Sequence, residues 1–62
     1  MYEKYAKIRD DKGMTDYKVA QSTGISSSTF SEWKSGHYTP KIDKMIKIAQ
    51  FLGVDVGEII GV

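Results

Sequence analysis

Apolar residues recur three and four positions apart along most of this chain, the spacing of one face of an α-helix. Tyr5 and Ile8 mark a first helix over about residues 2–12, and Val19, Ala20 and Thr23 a second over about 15–23. Phe30 and Trp33 lie three apart in a third over about 26–35. Ile42, Met45, Ile48, Ala49 and Leu52 set the rhythm of a fourth over about 41–52. Five of the six glycines, Gly13, Gly24, Gly36, Gly53 and Gly61, stand where helices should stop, because glycine enters the left-handed conformation at little cost. Thr15 and Ser26 are suited to be N-caps. Thr39-Pro40 is the start signal of the fourth helix, with proline in its first turn. Asp55-Val56-Gly57-Glu58 resembles a capping box and opens a short fifth helix through Ile60. The β-branched residues are too scattered to alternate as strands. The pattern predicts an all-α fold of five short helices. Tyr5, Phe30 and Trp33 belong to its core, the three methionines fill core gaps, and Val54 and Ile59 close it.

Thr23-Gly24-Ile25 joins the second and third helices and runs straight into the Ser26 cap. A tight turn between two short helices, with small Ala20 where they approach and Ile25 plugging the angle, is a helix-turn-helix signature. With Phe30 and Trp33 turned inward, the opposite face of the third helix carries Ser27, Ser28, Ser31 and Glu32.

Composition narrows the function classes. The chain has 62 residues, so we expect one domain, 1–62, burying only about 60% of its unfolded surface. There is no cysteine, hence no disulfide framework and no thiolate-bound zinc. One histidine excludes a multi-histidine metal site. A reducing cytoplasm is the expected compartment. No targeting segment opens the chain, and no apolar run approaches the ~20 residues that span a bilayer. No nucleophile–base pair, metal cluster or Gly-rich phosphate loop suggests an enzyme. No cofactor or small-molecule ligand is indicated. The net charge of +1 is low for a nucleic-acid binder, but it is unevenly spread. Residues 34–47 hold four lysines and one aspartate, and the last eleven residues hold only Asp55 and Glu58 as charges.

Several motifs occur together: Lys12-Gly13-Met14-Thr15, Val19-Ala20-x-x-x-Gly24-Ile25-Ser26, Ser28-Thr29-Phe30-Ser31-x-Trp33-Lys34-x-Gly36, Pro40, and Lys47-Ile48-Ala49-x-x-Leu52-Gly53-Val54. In combination they resemble the lambda-repressor-like, Cro-type helix-turn-helix family, also called the xenobiotic response element family. The wording is similar to that of short phage-type repressor domains. The resemblance implies prokaryotic or phage transcriptional control, with a dimer on operator DNA. It places Ser27, Ser28 and Glu32 at base-reading positions, with Ser31 on the same face. Serine both donates and accepts, while Glu32 only accepts, which suits a cytosine amino group. Phosphate contacts are expected from Thr15 and Tyr17 at the second helix, Ser26 at the third, and Lys34, His37, Tyr38, Thr39, Lys41 and Lys44 beyond it.

Three departures from the family pattern stand out. Asp16 replaces the glutamine that often clamps a phosphate, and a carboxylate there repels phosphate. Lys34 replaces the glutamate that pairs with an arginine of the first helix, so Arg9 must find another acceptor or turn outward. The base-reading positions lack the usual glutamine or arginine, so shape and phosphate contacts should carry much of the selectivity. Val56, Ile60 and Val62 at the apolar tail are the expected homodimer contacts. The rival class is a protein-interaction module, such as an antitoxin-like domain that uses the same tail and the acidic Glu32 face to bind protein.

Overall fold

The computed structural model describes residues 1–61. It contains α1 (Tyr2–Asp11), α2 (Asp16–Thr23), α3 (Ser27–Ser35), α4 (Ile42–Leu52) and α5 (Val56–Ile60). No described residue is in a strand. The expected caps form. Thr15 Oγ1 accepts the Lys18 N–H at 3.1 Å, and Ser26 Oγ accepts the Ser28 N–H at 3.3 Å. Glu58 Oε2 accepts the Asp55 N–H at 3.0 Å, as a capping box requires. The five glycines singled out by position all take positive φ. Gly24 matters most, because its left-handed conformation (φ 77°) turns the chain from α2 into the Ser26 cap within two residues.

Two expectations for α4 need correction. Pro40 lies before the helix, not in its first turn; Lys41 is the N-cap and Pro40 is buried beneath the approach. Ile42, which shares the apolar rhythm of the fourth helix, is not buried with the rest of that set but 56% exposed. Helical periodicity places it at the margin of the buried stripe, and at the first turn no neighbouring helix covers that margin. Met1 is also exposed, whereas Met45 is buried and Met14 is packed against the core.

The core joins Tyr5 of α1, Val19 and Ala20 of α2, Phe30 and Trp33 of α3, Met45, Ile48, Ala49 and Leu52 of α4, and Ile59 of α5. Ile25 fills the angle between α2 and α3, and Val54 packs from the side. The Tyr5 ring lies 5.1 Å from Trp33 at an interplanar angle of 26° and 5.5 Å from Phe30. Tyr2 meets Trp33 edge-on at 5.4 Å. These aromatic contacts tie α1 to the buried side of α3. They exclude Tyr5, Phe30 and Trp33 as stacking platforms for bases.

The same tyrosines also fix α2. Asp16, the first residue of α2, accepts hydrogen bonds from Tyr2 Oη at 2.8 Å, Tyr5 Oη at 2.8 Å and Arg9 Nη1 at 2.7 Å. Arg9 Nη1 also donates to Tyr2 Oη at 2.9 Å, and its other edge reaches Asp10. The Arg9 and Asp16 side chains are only 17% and 29% exposed. Arg9 thus does find another acceptor, and that acceptor is the residue expected to repel phosphate. Burial by itself would push the Asp16 carboxyl up. The three donors outweigh that and hold it below the ordinary aspartate range. Burial and donation to Asp16 push both tyrosine hydroxyls up.

Two predictions follow from these contacts. A Cβ at Gly24 would meet nothing within 4 Å, so Gly24→Ala carries only the backbone term, about 1–2 kcal/mol. Urea unfolding followed by Trp33 fluorescence measures it. A carboxyl whose folded pKa is depressed adds stability at pH above its unfolded value of about 3.9 and loses it as pH falls toward the folded value. Asp16→Asn should therefore lower stability by about 1–3 kcal/mol at neutral pH and flatten the acid limb of the stability–pH curve below about pH 4.

Candidate nucleic-acid interface

The third helix presents its polar side without obstruction. Ser27, Ser28, Ser31 and Glu32 are all exposed, while Phe30 and Trp33 on the other side are buried. The anchored face and the open face follow directly from the three- and four-residue spacing. A shallow cleft flanks the helix on each side. One is lined by Tyr17, Ala20, Gln21, Gly24, Ile25 and Ser27, the other by Ser28, Thr29, Glu32, His37, Tyr38 and Lys44. The helix therefore stands as a ridge bounded by α2 and by the loop that follows it.

Not every hydroxyl on that ridge is equally available. Ser26 Oγ and Ser28 Oγ lie 2.7 Å apart, so the cap already engages the Ser28 side chain. Ser27 and Ser31 make no such contact among the hydrogen bonds of the described residues. The Glu32 carboxylate lies 3.4 Å from His37 Nδ1, which in turn is 3.1 Å from Ser35 Oγ. His37 is thereby placed beside the one carboxylate on the exposed face of α3. Its loop position alone did not signal that contact.

The expected phosphate contacts lie around the ridge. Thr15 and the strongly exposed Tyr17 stand at the start of α2, where free N–H groups favour an anion. Ser26 occupies the equivalent place on α3. Lys34 is exposed in the last turn of α3, and Thr39 and Lys41 are exposed in the segment leading to α4. Lys44 Nζ sits 5.9 Å above the Tyr38 ring, a cation–π contact that positions both. Asp16 does not belong with this group. Its carboxylate turns inward to Arg9, so the repulsion expected from it is largely neutralised.

The tail residues contribute less free surface than their composition suggests. Val56 packs against the core and Ile60 is partly buried; Val62 lies outside the described residues. Among the described residues no cluster of histidine, cysteine, aspartate or glutamate could hold a metal ion. No helix there is long and apolar enough to cross a membrane.

Comparison with known proteins agrees with this geometry. The helix-turn-helix family matches residues 6–59. The cryptic phage CTXphi transcriptional repressor RstR of Vibrio cholerae is 29% identical over 58 residues, covering 89% of this chain and 52% of the repressor. The helix-turn-helix-type transcriptional activator BcrR of Enterococcus faecalis is 28% identical over 94% of this chain but only 28% of its own length. An uncharacterised helix-turn-helix-type transcriptional regulator of Sinorhizobium fredii is 30% identical, covering 90% of this chain and 73% of the relative. The chain thus spans about half the length of the first of these relatives and about a quarter of the second. No solved structure gives a significant match. Five helices in this order, a left-handed Gly24 between α2 and a capped α3, and a match running from α1 to α5 together make the chain a member of the lambda-repressor-like helix-turn-helix family.

Proposed function

We propose that this chain is a sequence-specific double-stranded DNA-binding module of a transcriptional regulator, acting as a repressor and binding a near-palindromic operator as a dimer. The observation that carries this reading is the open polar ridge of α3, anchored from behind by Phe30 and Trp33 and flanked by hydroxyl-bearing and lysine side chains. An α-helix fits the major groove of B-DNA, and its N-terminal residues reach base edges. Ser27, Ser28, Ser31 and Glu32 take that role. Thr15, Tyr17, Ser26, Lys34, His37, Tyr38, Thr39, Lys41 and Lys44 hold the duplex backbone. The names of the relatives, a phage repressor, an activator and a regulator, support transcriptional control.

The groove face carries hydroxyls and one carboxylate and no arginine, lysine, asparagine or glutamine. Direct readout is therefore modest. A serine hydroxyl tolerates several bases, and Glu32 selects against groups that cannot donate. The rest of the selectivity comes from DNA shape, sensed through the spacing of phosphate contacts on either side of the ridge. Two copies on an inverted repeat would place their α3 helices about 34 Å apart, one turn of DNA.

Selection from a random duplex library, followed by salt titration of the best sequence, tests this. An inverted repeat should be enriched, and log K should fall linearly with log salt as several phosphates are neutralised. Loss of both results would favour the protein-interaction module instead. Glu32→Ala should change the preferred base at one position per half-site, by about 1–3 kcal/mol of discrimination. Lys34→Ala or Lys41→Ala should weaken all sites alike and reduce the salt slope by about one. A shifted base preference in Lys34→Ala would contradict the division between base and phosphate contacts.

A further inference from the structure

The dimer in the proposed function needs a surface, and the tail offers little. Another face is better suited. Ile42 and Ile46, one turn apart on α4, are 56% and 40% exposed. Between them they leave open about the area of one whole isoleucine. They lie along one margin of α4, beside its buried stripe of Met45, Ile48, Ala49 and Leu52. Both side chains stay open to solvent along that margin. Asp43 and Lys47 border the same margin on its outer side, also one turn apart and both exposed. Among the described residues neither makes an ion pair, although their spacing would permit one within the helix.

We propose that this face of α4 binds a second copy of the chain, helix against helix and antiparallel. Charge complementarity selects that occupant. A two-fold axis crossing α4 near Lys44 and Met45 brings Ile42 against Ile46 of the other copy. The same axis brings Asp43 opposite Lys47 of the other copy, and by symmetry Lys47 opposite Asp43. The antiparallel sense makes the face self-complementary, because it keeps the Asp43 and Lys47 flanks of both copies on one side of the seam, where opposite charges meet. A parallel two-fold pairing carries the two flanks to opposite sides and forms no such contact. An isologous contact of this kind closes at two copies. It rests on the proposed dimeric DNA binding and gives it a location on α4 instead of the tail. The area is small, well below the ~1,000 Å² of a stable interface. The contact is therefore weak in free protein and forms chiefly when DNA holds two copies together.

Because the chain has no cysteine, disulfide trapping can detect the contact without DNA. An equimolar mixture of Ile42→Cys and Ile46→Cys chains is oxidised, and the linked peptides are mapped. Both positions are exposed, so the substitutions leave the core intact. The expected result is mixed 42–46 linkage in excess over its random share. Adding Asp43→Lys to both chains should reduce that excess about threefold or more, since both exposed ion pairs of the two-fold contact are lost. Adding Lys47→Asp as well should restore it. A random distribution of linkages, or an excess that ignores both charge changes, would overturn the α4 contact. So would preferential linkage through an Ile60→Cys chain, which would return the dimer to the tail. An enriched inverted repeat together with random linkage would leave DNA binding standing and remove only this surface. Specific linkage without any enriched DNA sequence would do the reverse.

Discussion

Tyr5 makes two contacts of different kinds, and the geometry of the helix-turn-helix depends on both. Its ring stacks on Trp33 and packs on Phe30, which sets the depth and rotation of α3. Its hydroxyl donates to Asp16, which sets the start of α2. One side chain of α1 therefore holds both halves of the helix-turn-helix. Stacking alone would let α2 slide along its axis, and the hydrogen bond alone would let α3 roll. Arg9 completes the arrangement by neutralising Asp16, so that a carboxylate can sit at this depth without an uncompensated charge. The family's arginine–glutamate pair, absent here because Lys34 replaces the glutamate, is thus replaced by a pairing to α2. The substitution also leaves an exposed lysine in the last turn of α3.

Most of the fold was legible in the sequence because its signals are local. The spacing of Val19, Ala20, Phe30 and Trp33 identifies the buried faces, and the glycines mark the stops. Thr15 and Ser26 bond to N–H groups only two or three residues away. What escaped has a non-local cause. Ile42 matches the helical period, yet whether it is covered depends on what stands beside the first turn of α4. Asp16 looked like a surface charge because its three donors lie 7 to 14 residues away in sequence. For the candidate interface, the exposed set on α3 was visible as the complement of its buried pair. The His37–Glu32 proximity was not, because it depends on how the chain folds back after Gly36.

The electrostatics of the interface are restrained. Lysines lie in and after the final turn of α3, while its groove face carries one carboxylate and no base. With Asp16 turned inward, the field near the start of α2 is less negative than the sequence implies. Such a surface holds unrelated DNA loosely, since non-specific affinity scales with the number of neutralised phosphates. In the proposed reading, discrimination then depends on fit and on two copies acting together, and the small apolar margin on α4 would favour pairing on a shared duplex without locking the free protein into one assembly.

The spacing of the glycine stops has a final consequence. They leave helices of 10, 8, 9, 11 and 5 residues, all shorter than the ~12–15 residues at which an isolated helix becomes even marginally stable in water. No segment can persist alone, because each borrows its order from the shared core. Loss of structure is therefore all-or-none, without a partly ordered form that still grips DNA. A single cut in any one turn therefore removes the support of every helix at once, not of one element alone.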